Sequence, residues 1–175
     1  MEMYQEDRGV VQKRAPVWRG YVLSGWWRRV GATLLDCLVV IPLGTLVALA
    51  LGADMDRLYS ASPGNDQWLA AAGVAIASLL YYPTLMRATD GRTLGKMAAR
   101  IRVVRTDERP MSFTRATWRE VVVKVGPSLL PEPIYLLWLL DDLWPLWDPE
   151  NRAIHDMLAA TRVVRSDIAR ETPSP

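Results

Sequence analysis

The sequence predicts an all-α membrane protein with four membrane segments and a small cytoplasmic β element. Three observations support this fold class: two long apolar runs, a further apolar region interrupted by prolines, and the segment RVVR, which occurs twice. Half of the 175 residues are hydrophobic and the net charge is only +2. A chain of this length corresponds to one domain.

The two apolar runs, residues 29–51 and 68–86, are the predicted spanning helices. About 20 helical residues cross the hydrocarbon core of a bilayer. The first run contains Asp36, and an ionised carboxylate near the middle of a span costs about 2.5–3.5 kcal/mol to insert. We therefore expect Asp36 to face protein, opposite Lys124 or an arginine.

The other two segments form a helical hairpin broken by prolines. A helix is expected to start at Ser112, to break at Pro131 and Pro133, and to resume as far as residue 147. Each arm has about 15–17 residues, which is the lower limit for crossing a bilayer. Two short crossings and one re-entrant hairpin are both compatible with this pattern.

Basic residues set the expected orientation, because lysine and arginine concentrate in cytoplasmic loops. Residues 87–119 carry nine basic and three acidic side chains, whereas residues 52–67 carry one basic and three acidic. This predicts a multi-pass protein of the plasma membrane with both termini in the cytoplasm. The two RVVR segments, 102–105 and 162–165, can then pair on one face of the membrane.

Three regions divide the chain. Residues 1–25 are predicted to be a cytoplasmic tail, residues 26–166 the membrane domain, and residues 167–175 a disordered tail. We expect roughly the first dozen residues to be disordered as well.

Charged residues of the hairpin lie at a depth similar to that of Asp36 when measured by helical rise. They are Lys124, Asp141 and Asp142. Two functions fit such a layer: an ion-pair clasp that fixes helix register, or a path for a cation or proton. Glu120 and Lys124, four residues apart, are also positioned to pair along their own helix.

Enzymatic chemistry has little support in the sequence. His155 stands without a second histidine or cysteine and is expected to be a hydrogen-bonded structural residue, while Cys37 lacks a group that would activate it. The stretch DGRTLGK has the wrong spacing for a phosphate loop. We expect no catalytic residue, metal or cofactor, and no nucleic-acid partner.

Three motifs in this order, RRVGATLLD, DGRTLGKMAARIRVV and RAIHDMLAAT, strongly resemble the RDD family of bacterial membrane proteins. The resemblance covers about residues 24–166. That family is named for an arginine at the start of its first membrane helix, an aspartate within that helix and a second aspartate. By this resemblance these residues are Arg29, with Arg28 adjacent, Asp36, and Asp156, with Asp148 as the other aspartate nearby.

Further residues of the motifs support the resemblance: Gly91, Thr93, Gly95, Lys96, His155 and Thr161. The chain departs from the family pattern at Arg100 and Ala160, where the family commonly has glycine. The resemblance implies one of two functions. One is transport of cations, protons or another small solute; the other is a non-catalytic membrane scaffold or adaptor. The expected partners are the lipid bilayer and a second copy of the chain or another membrane protein.

Overall fold

The computed structural model describes residues 16–58, 65–126 and 136–169. These residues are mostly helical, with two small sheets. The helices are α1 (Trp26–Ala50), α2 (Met55–Leu58), α3 (Asn65–Ala88), α4 (Leu94–Ala98), α5 (Phe113–Ala116), α6 (Leu136–Leu143) and α7 (Ile154–Leu158). The strands are β1 (Val17–Trp18), β2 (Tyr21–Val22), β3 (Ile101–Arg105) and β4 (Thr161–Arg165). A π-helical segment, Thr117–Val125, continues α5, and a 3₁₀ turn, Trp144–Leu146, continues α6.

Helices α1 and α3 are both long and apolar enough to cross a membrane. They begin and end within about three residues of the predicted spans, as expected for boundaries read from a sequence. Their apolar side chains are unusually exposed, with Leu34, Leu38 and Leu46 of α1 all more than half accessible. Exposed leucines along the length of a 25-residue helix are what a lipid-facing surface requires.

The two long helices approach each other closely at glycines. A Cβ added to Gly73 would overlap the carbonyl oxygen of Gly44, and one added to Gly44 would lie 2.9 Å from the Cα of Val74. Small residues of this kind allow helix backbones in membranes to pack tightly. The α1–α3 contact is therefore fixed by backbone shape.

Strands β3 and β4 pair antiparallel, with Val103 opposite Val163 at the centre of the register. The two RVVR segments thus form one sheet. This sheet lies where α1 begins and α3 ends, since the amide of Ser24 donates to the carbonyl of Val163 at 2.9 Å and that of Val103 to Gly91 at 2.9 Å. Both described ends of the chain accordingly sit at the same end of the helix pair.

Each strand of this sheet follows a short helix, and the turn between helix and strand has the same conformation in both cases. Residues 94–105 and 154–165 align without gaps, and both end in Arg-Val-Val-Arg. Arg100 and Ala160 occupy equivalent positions and have φ angles of +55° and +48°. These are the two positions where the related family has glycine, so the tight turn is kept here by residues that strain it.

The described structure extends beyond the predicted membrane domain, residues 26–166. Residues 17–22, assigned to the N-terminal tail, form the antiparallel β1–β2 hairpin, and Leu23 is buried beside Val164. At the other end, Asp167 pairs with Arg165 at 2.7 Å. The physical reason is that the β3–β4 sheet is too small to cover its own apolar face and needs flanking chain.

The predicted helix after Ser112 is present. The Ser112 side chain accepts a hydrogen bond from the amide of Arg115 and caps α5. The proline-rich apex of the predicted hairpin falls in residues 127–135, outside the described part of the chain. Two of the four predicted membrane segments, α1 and α3, meet the requirements of a span among the described residues.

Candidate functional site

Asp36 is fully buried where α1 meets α4. Its carboxylate accepts hydrogen bonds from the hydroxyls of Tyr81 and Thr93, both at 2.6 Å, and from the amide of Gly95 at 2.8 Å. The expectation that it faces Lys124 or an arginine is wrong, because three uncharged donors satisfy it. Three donors of this kind satisfy the hydrogen-bonding capacity of a buried carboxyl group without a counter-ion.

Gly95 makes this arrangement possible. A Cβ at this position would overlap the carbonyl oxygen of Ala32 and lie 2.9 Å from the carboxyl carbon of Asp36. Thr93 caps α4 by accepting from the amide of Lys96 at 3.3 Å while its hydroxyl proton goes to Asp36. The start of α4 is therefore docked onto α1 through one carboxylate.

Asp156, in α7, is the centre of a second buried group. Its carboxylate pairs with Arg29 at the start of α1, accepts from Arg119 at 2.6 Å, and accepts from the amide of Ala153 at 3.1 Å. Burial raises the pKa of this carboxyl, but the two guanidinium groups outweigh burial and hold the pKa well below its usual value of 3.8. Arg29 and Asp156 are thus direct partners across 127 residues.

Arg119 extends this group to a second acid. It also pairs with Glu120, which in turn accepts from Lys96 at 2.8 Å. All these side chains lie almost entirely out of solvent. We call Arg29, Lys96, Arg119, Glu120 and Asp156 the charge cluster. It ties α1, α4, the π-helical segment and α7 together.

The predicted pairing of Glu120 with Lys124 is wrong. Residues 117–125 are π-helical, with hydrogen bonds from i to i+5, so their side chains point in other directions than those of the expected α-helix. Glu120 therefore faces Lys96, whereas Lys124 lies 3.6 Å from Asp142 and donates to Thr33 at 3.2 Å.

The residues predicted to form one polar layer, Lys124, Asp141 and Asp142, lie in two separate sites. Lys124 and Asp142 lie together beside α1, but Asp141 accepts from the ring and the amide of His155 at 2.6 and 2.8 Å. The other ring nitrogen of His155 is 3.5 Å from the Asp156 carboxylate. His155 thus hydrogen-bonds to α6 and lies against the charge cluster, in line with the hydrogen-bonded structural role expected for it.

The remaining motif residues shape the backbone around the cluster. Thr161 accepts from Arg119 at 3.2 Å, and Gly91 has φ of +84° with no room for a Cβ beside Val103. Lys96 is buried, and burial lowers its pKa, an effect that Glu120 partly offsets.

Two residues of the site were missed from the sequence. Arg119 contacts both buried acids, and Tyr81 is a partner of Asp36. A charged residue at the border of the apolar run after residue 120 is the signal that could have identified Arg119. Tyr81 carries no such signal, because a tyrosine in a membrane helix is also common at interfaces.

A cavity of about 270 Å³ adjoins the charge cluster between α1, the π-helical segment and α6. The basic side chains of Arg29, Lys96, Arg119 and Lys124 line it, together with apolar residues of α1 and α6. Glu120, Asp142 and His155 line it as well. Within the described ranges, no group of three or more histidine, cysteine, aspartate or glutamate side chains could hold a metal ion.

A model of the RDD family matches residues 23–160, well over half of the chain. The chain belongs to the RDD family. Arg29, Asp36 and Asp156, which the sequence resemblance assigned to the motif of the family, all lie in buried polar sites of this RDD protein.

Two relatives of this RDD protein come from Bacillus subtilis (strain 168). It is 26% identical over 151 residues to a protein described as "Uncharacterized membrane protein YteJ", with 86% of each chain covered. It is 28% identical over 150 residues to "Uncharacterized protein YckC", with 82% of this chain and 85% of that one covered. No solved structure matches the chain.

Proposed function

We propose that this RDD protein is a non-catalytic, multi-pass scaffold or adaptor of the plasma membrane, whose buried charges are structural. The observation that carries the proposal is that protein donors already engage the buried carboxylates of the site. Asp36 has three hydrogen-bond donors, Asp156 has two arginines and an amide, and Glu120 has Arg119 and Lys96. Carboxylates engaged in this way act as ties between helices.

A cation pathway needs carboxylate oxygens that can exchange their partners. Asp36 does not line the cavity, whereas four lysine or arginine side chains and two carboxylates, those of Glu120 and Asp142, do. The surroundings of the cavity therefore repel a cation more than they attract one. This favours the scaffold over transport of cations or protons.

Transport of a small solute is the second candidate, because the cavity borders the charge cluster. A chain with so few spans would need a second copy to enclose a pathway. The same requirement makes a second copy, or another membrane protein, the partner that we propose for the scaffold. The exposed leucines of α1 offer such a partner an apolar face.

The orientation forms part of the proposal. The basic excess of residues 87–119 supports a cytoplasmic location for the β3–β4 sheet and for both termini. Reporter fusions after Ser62 and after Ser166 test this, with an external signal expected only at Ser62. An external signal at Ser166 would contradict it.

Flux measurements separate the two functions. Protein reconstituted in liposomes with a pH-sensitive dye is challenged with sodium, potassium or lithium. A scaffold gives no cation-dependent proton movement in wild type. Flux in wild type that is lost in Asp36→Asn, with the fold intact by circular dichroism, would establish transport instead.

A further inference from the structure

Arg29 has donors that the protein does not use. Its Nη1 pairs with Asp156, but Nε and Nη2 are buried and have no hydrogen-bond partner within the described residues. Only 12% of the side chain is accessible. Buried donors of this kind are normally satisfied, because leaving them unpaired is costly.

Arg29 lies on the wall of the cavity, and so does Lys124. Within the described ranges Lys124 makes one hydrogen bond, to Thr33, and its ion-pair partner Asp142 is 3.6 Å away. The cavity therefore has two cations with hydrogen-bonding capacity to spare, on either side of a threonine of α1.

Basic side chains outnumber acidic ones on the wall of the cavity. The lining contains four cations, Arg29, Lys96, Arg119 and Lys124, and two acids, Glu120 and Asp142. Each of the two acids already lies within 4 Å of a cation, so an added anion meets cations whose donors are only partly used. An anionic group placed there would complete the pairing.

The opposite walls are apolar and reach the outer surface of the helices. Leu34 and Leu139 line the cavity and are also 62% and 40% accessible. With α1 in a membrane, this opening faces acyl chains. A volume of about 270 Å³ accommodates a small polar group but not a complete lipid.

We propose that this cavity binds the phosphate group of an anionic membrane lipid, with the acyl chains leaving past Leu34 and Leu139. The Nε and Nη2 groups of Arg29 donate hydrogen bonds to the phosphate, and Lys124 contributes a positive charge. The site requires α1 to be in the membrane but does not depend on the scaffold role.

Binding to the full-length protein in a neutral detergent tests the proposal. Native mass spectrometry measures retention of phosphatidylglycerol against phosphatidylcholine, with inorganic phosphate added in a third arm. We expect clear preference for phosphatidylglycerol. Arg29→Lys, which retains a charge for Asp156 but not the extra donors, should weaken that binding by about tenfold.

Arg28→Lys is the matched control, since Arg28 is next to Arg29 but does not line the cavity. Cys37→Leu narrows the cavity without removing a hydrogen bond and gives an independent test. It should also reduce retention of phosphatidylglycerol about tenfold.

Three results would overturn the proposal. The first is equal retention of phosphatidylglycerol and phosphatidylcholine by the wild-type protein. The second is a preference for phosphatidylglycerol that is unchanged in both Arg29→Lys and Cys37→Leu. The third is binding of inorganic phosphate that depends on Arg29 while phosphatidylglycerol is not retained, which would assign the cavity to a free phosphate.

Discussion

The burial of Asp36 is explained by its uncharged partners. Three donors from α3 and α4 replace the water that an ionised carboxylate loses in a membrane helix. The cost of inserting the charge is offset by hydrogen bonds that also dock α4 onto α1.

Two adjacent tyrosines of α3 allow this role to be tested. Tyr81 and Tyr82 are both buried, but only the hydroxyl of Tyr81 bonds Asp36. Tyr81→Phe should lower the free energy of unfolding by about 1.5–3 kcal/mol, since a hydrogen bond to a charged group is lost. Tyr82→Phe should change it by less than about 0.5 kcal/mol. Equal effects in denaturant titrations would show that the bond to Asp36 is not special.

Asp156 makes stability dependent on pH. Its pKa is lowered in the folded protein by Arg29 and Arg119, so the unfolded chain takes up the proton first as the pH falls. The contribution of Asp156 to the stability of the fold is therefore complete above about pH 4. It is lost as the pH falls through the pKa that Asp156 has in the folded protein, which is lower. Melting temperatures measured from pH 7 to pH 2 should fall in the acid range for wild type.

Asp156→Asn is the variant for this comparison. It should already be less stable at pH 7, by about 3–5 kcal/mol, because two buried arginines lose their acid. Its decline in acid should be shallower than that of wild type. An identical acid profile in the two proteins would assign the pH dependence to other carboxyl groups.

At the strained turn before each strand of the β3–β4 sheet, we expect substitution by glycine to raise the stability of the protein. Arg100→Gly and Ala160→Gly remove a Cβ from a left-handed conformation and should each stabilise the protein by about 1 kcal/mol. Ala99→Gly, one residue earlier at φ of −76°, should destabilise it by about 0.5–1 kcal/mol. Thermal unfolding of the three variants measures the difference, and stabilisation by all three would rule out strain as the cause.

At the scale of elements, the contact between α1 and α3 depends on backbone proximity. Gly73→Ala puts a methyl group into the Gly44 carbonyl and should cost about 1–3 kcal/mol of unfolding free energy. Gly31→Ala meets nothing within 4 Å and should be neutral or stabilising, because alanine is the better helix former. Destabilisation by both substitutions would mean that helix–helix packing is not the reason.

The elements themselves were largely predictable. The long apolar runs identify α1 and α3. A helix that faces lipid on one side and protein on the other is apolar on all its faces, so its sequence is an almost continuous apolar run. The repeated RVVR identifies the sheet, since matching strands can pair. The β1–β2 hairpin and α4 carry no comparable periodicity, because each is too short to show one.

Partners within the site were much less predictable. Arg29 and Asp156 are far apart in sequence, and which acid faces which cation depends on how each helix is rotated. The π-helical segment changes that rotation for Glu120 and Lys124, and it carries no local signal. The motif resemblance drew attention to Arg29, Asp36 and Asp156, which all make buried polar contacts, but it did not indicate which residues they contact.

At the scale of the whole molecule, the charge cluster is a tie among four elements. It joins the start of α1 to α7, and α4 to the π-helical segment, and Arg119 also contacts Thr161 of the β3–β4 sheet. Within it, Lys96 and Asp156 stand at equivalent positions of the two aligned segments, 94–105 and 154–165. The two halves of the sheet unit therefore contribute opposite charges to one buried group.

The most direct test of a structural role for these charges is a double-mutant cycle on Lys96 and Glu120. The free energy of unfolding in mild detergent is measured for wild type, Lys96→Met, Glu120→Gln and the double variant, with Arg102 and Asp90 as an exposed reference pair 3.2 Å apart. We expect a coupling energy above about 1 kcal/mol for Lys96 and Glu120, and less than about 0.5 kcal/mol for the exposed pair. Additive effects of the two buried substitutions, within about 0.3 kcal/mol, would contradict a structural tie.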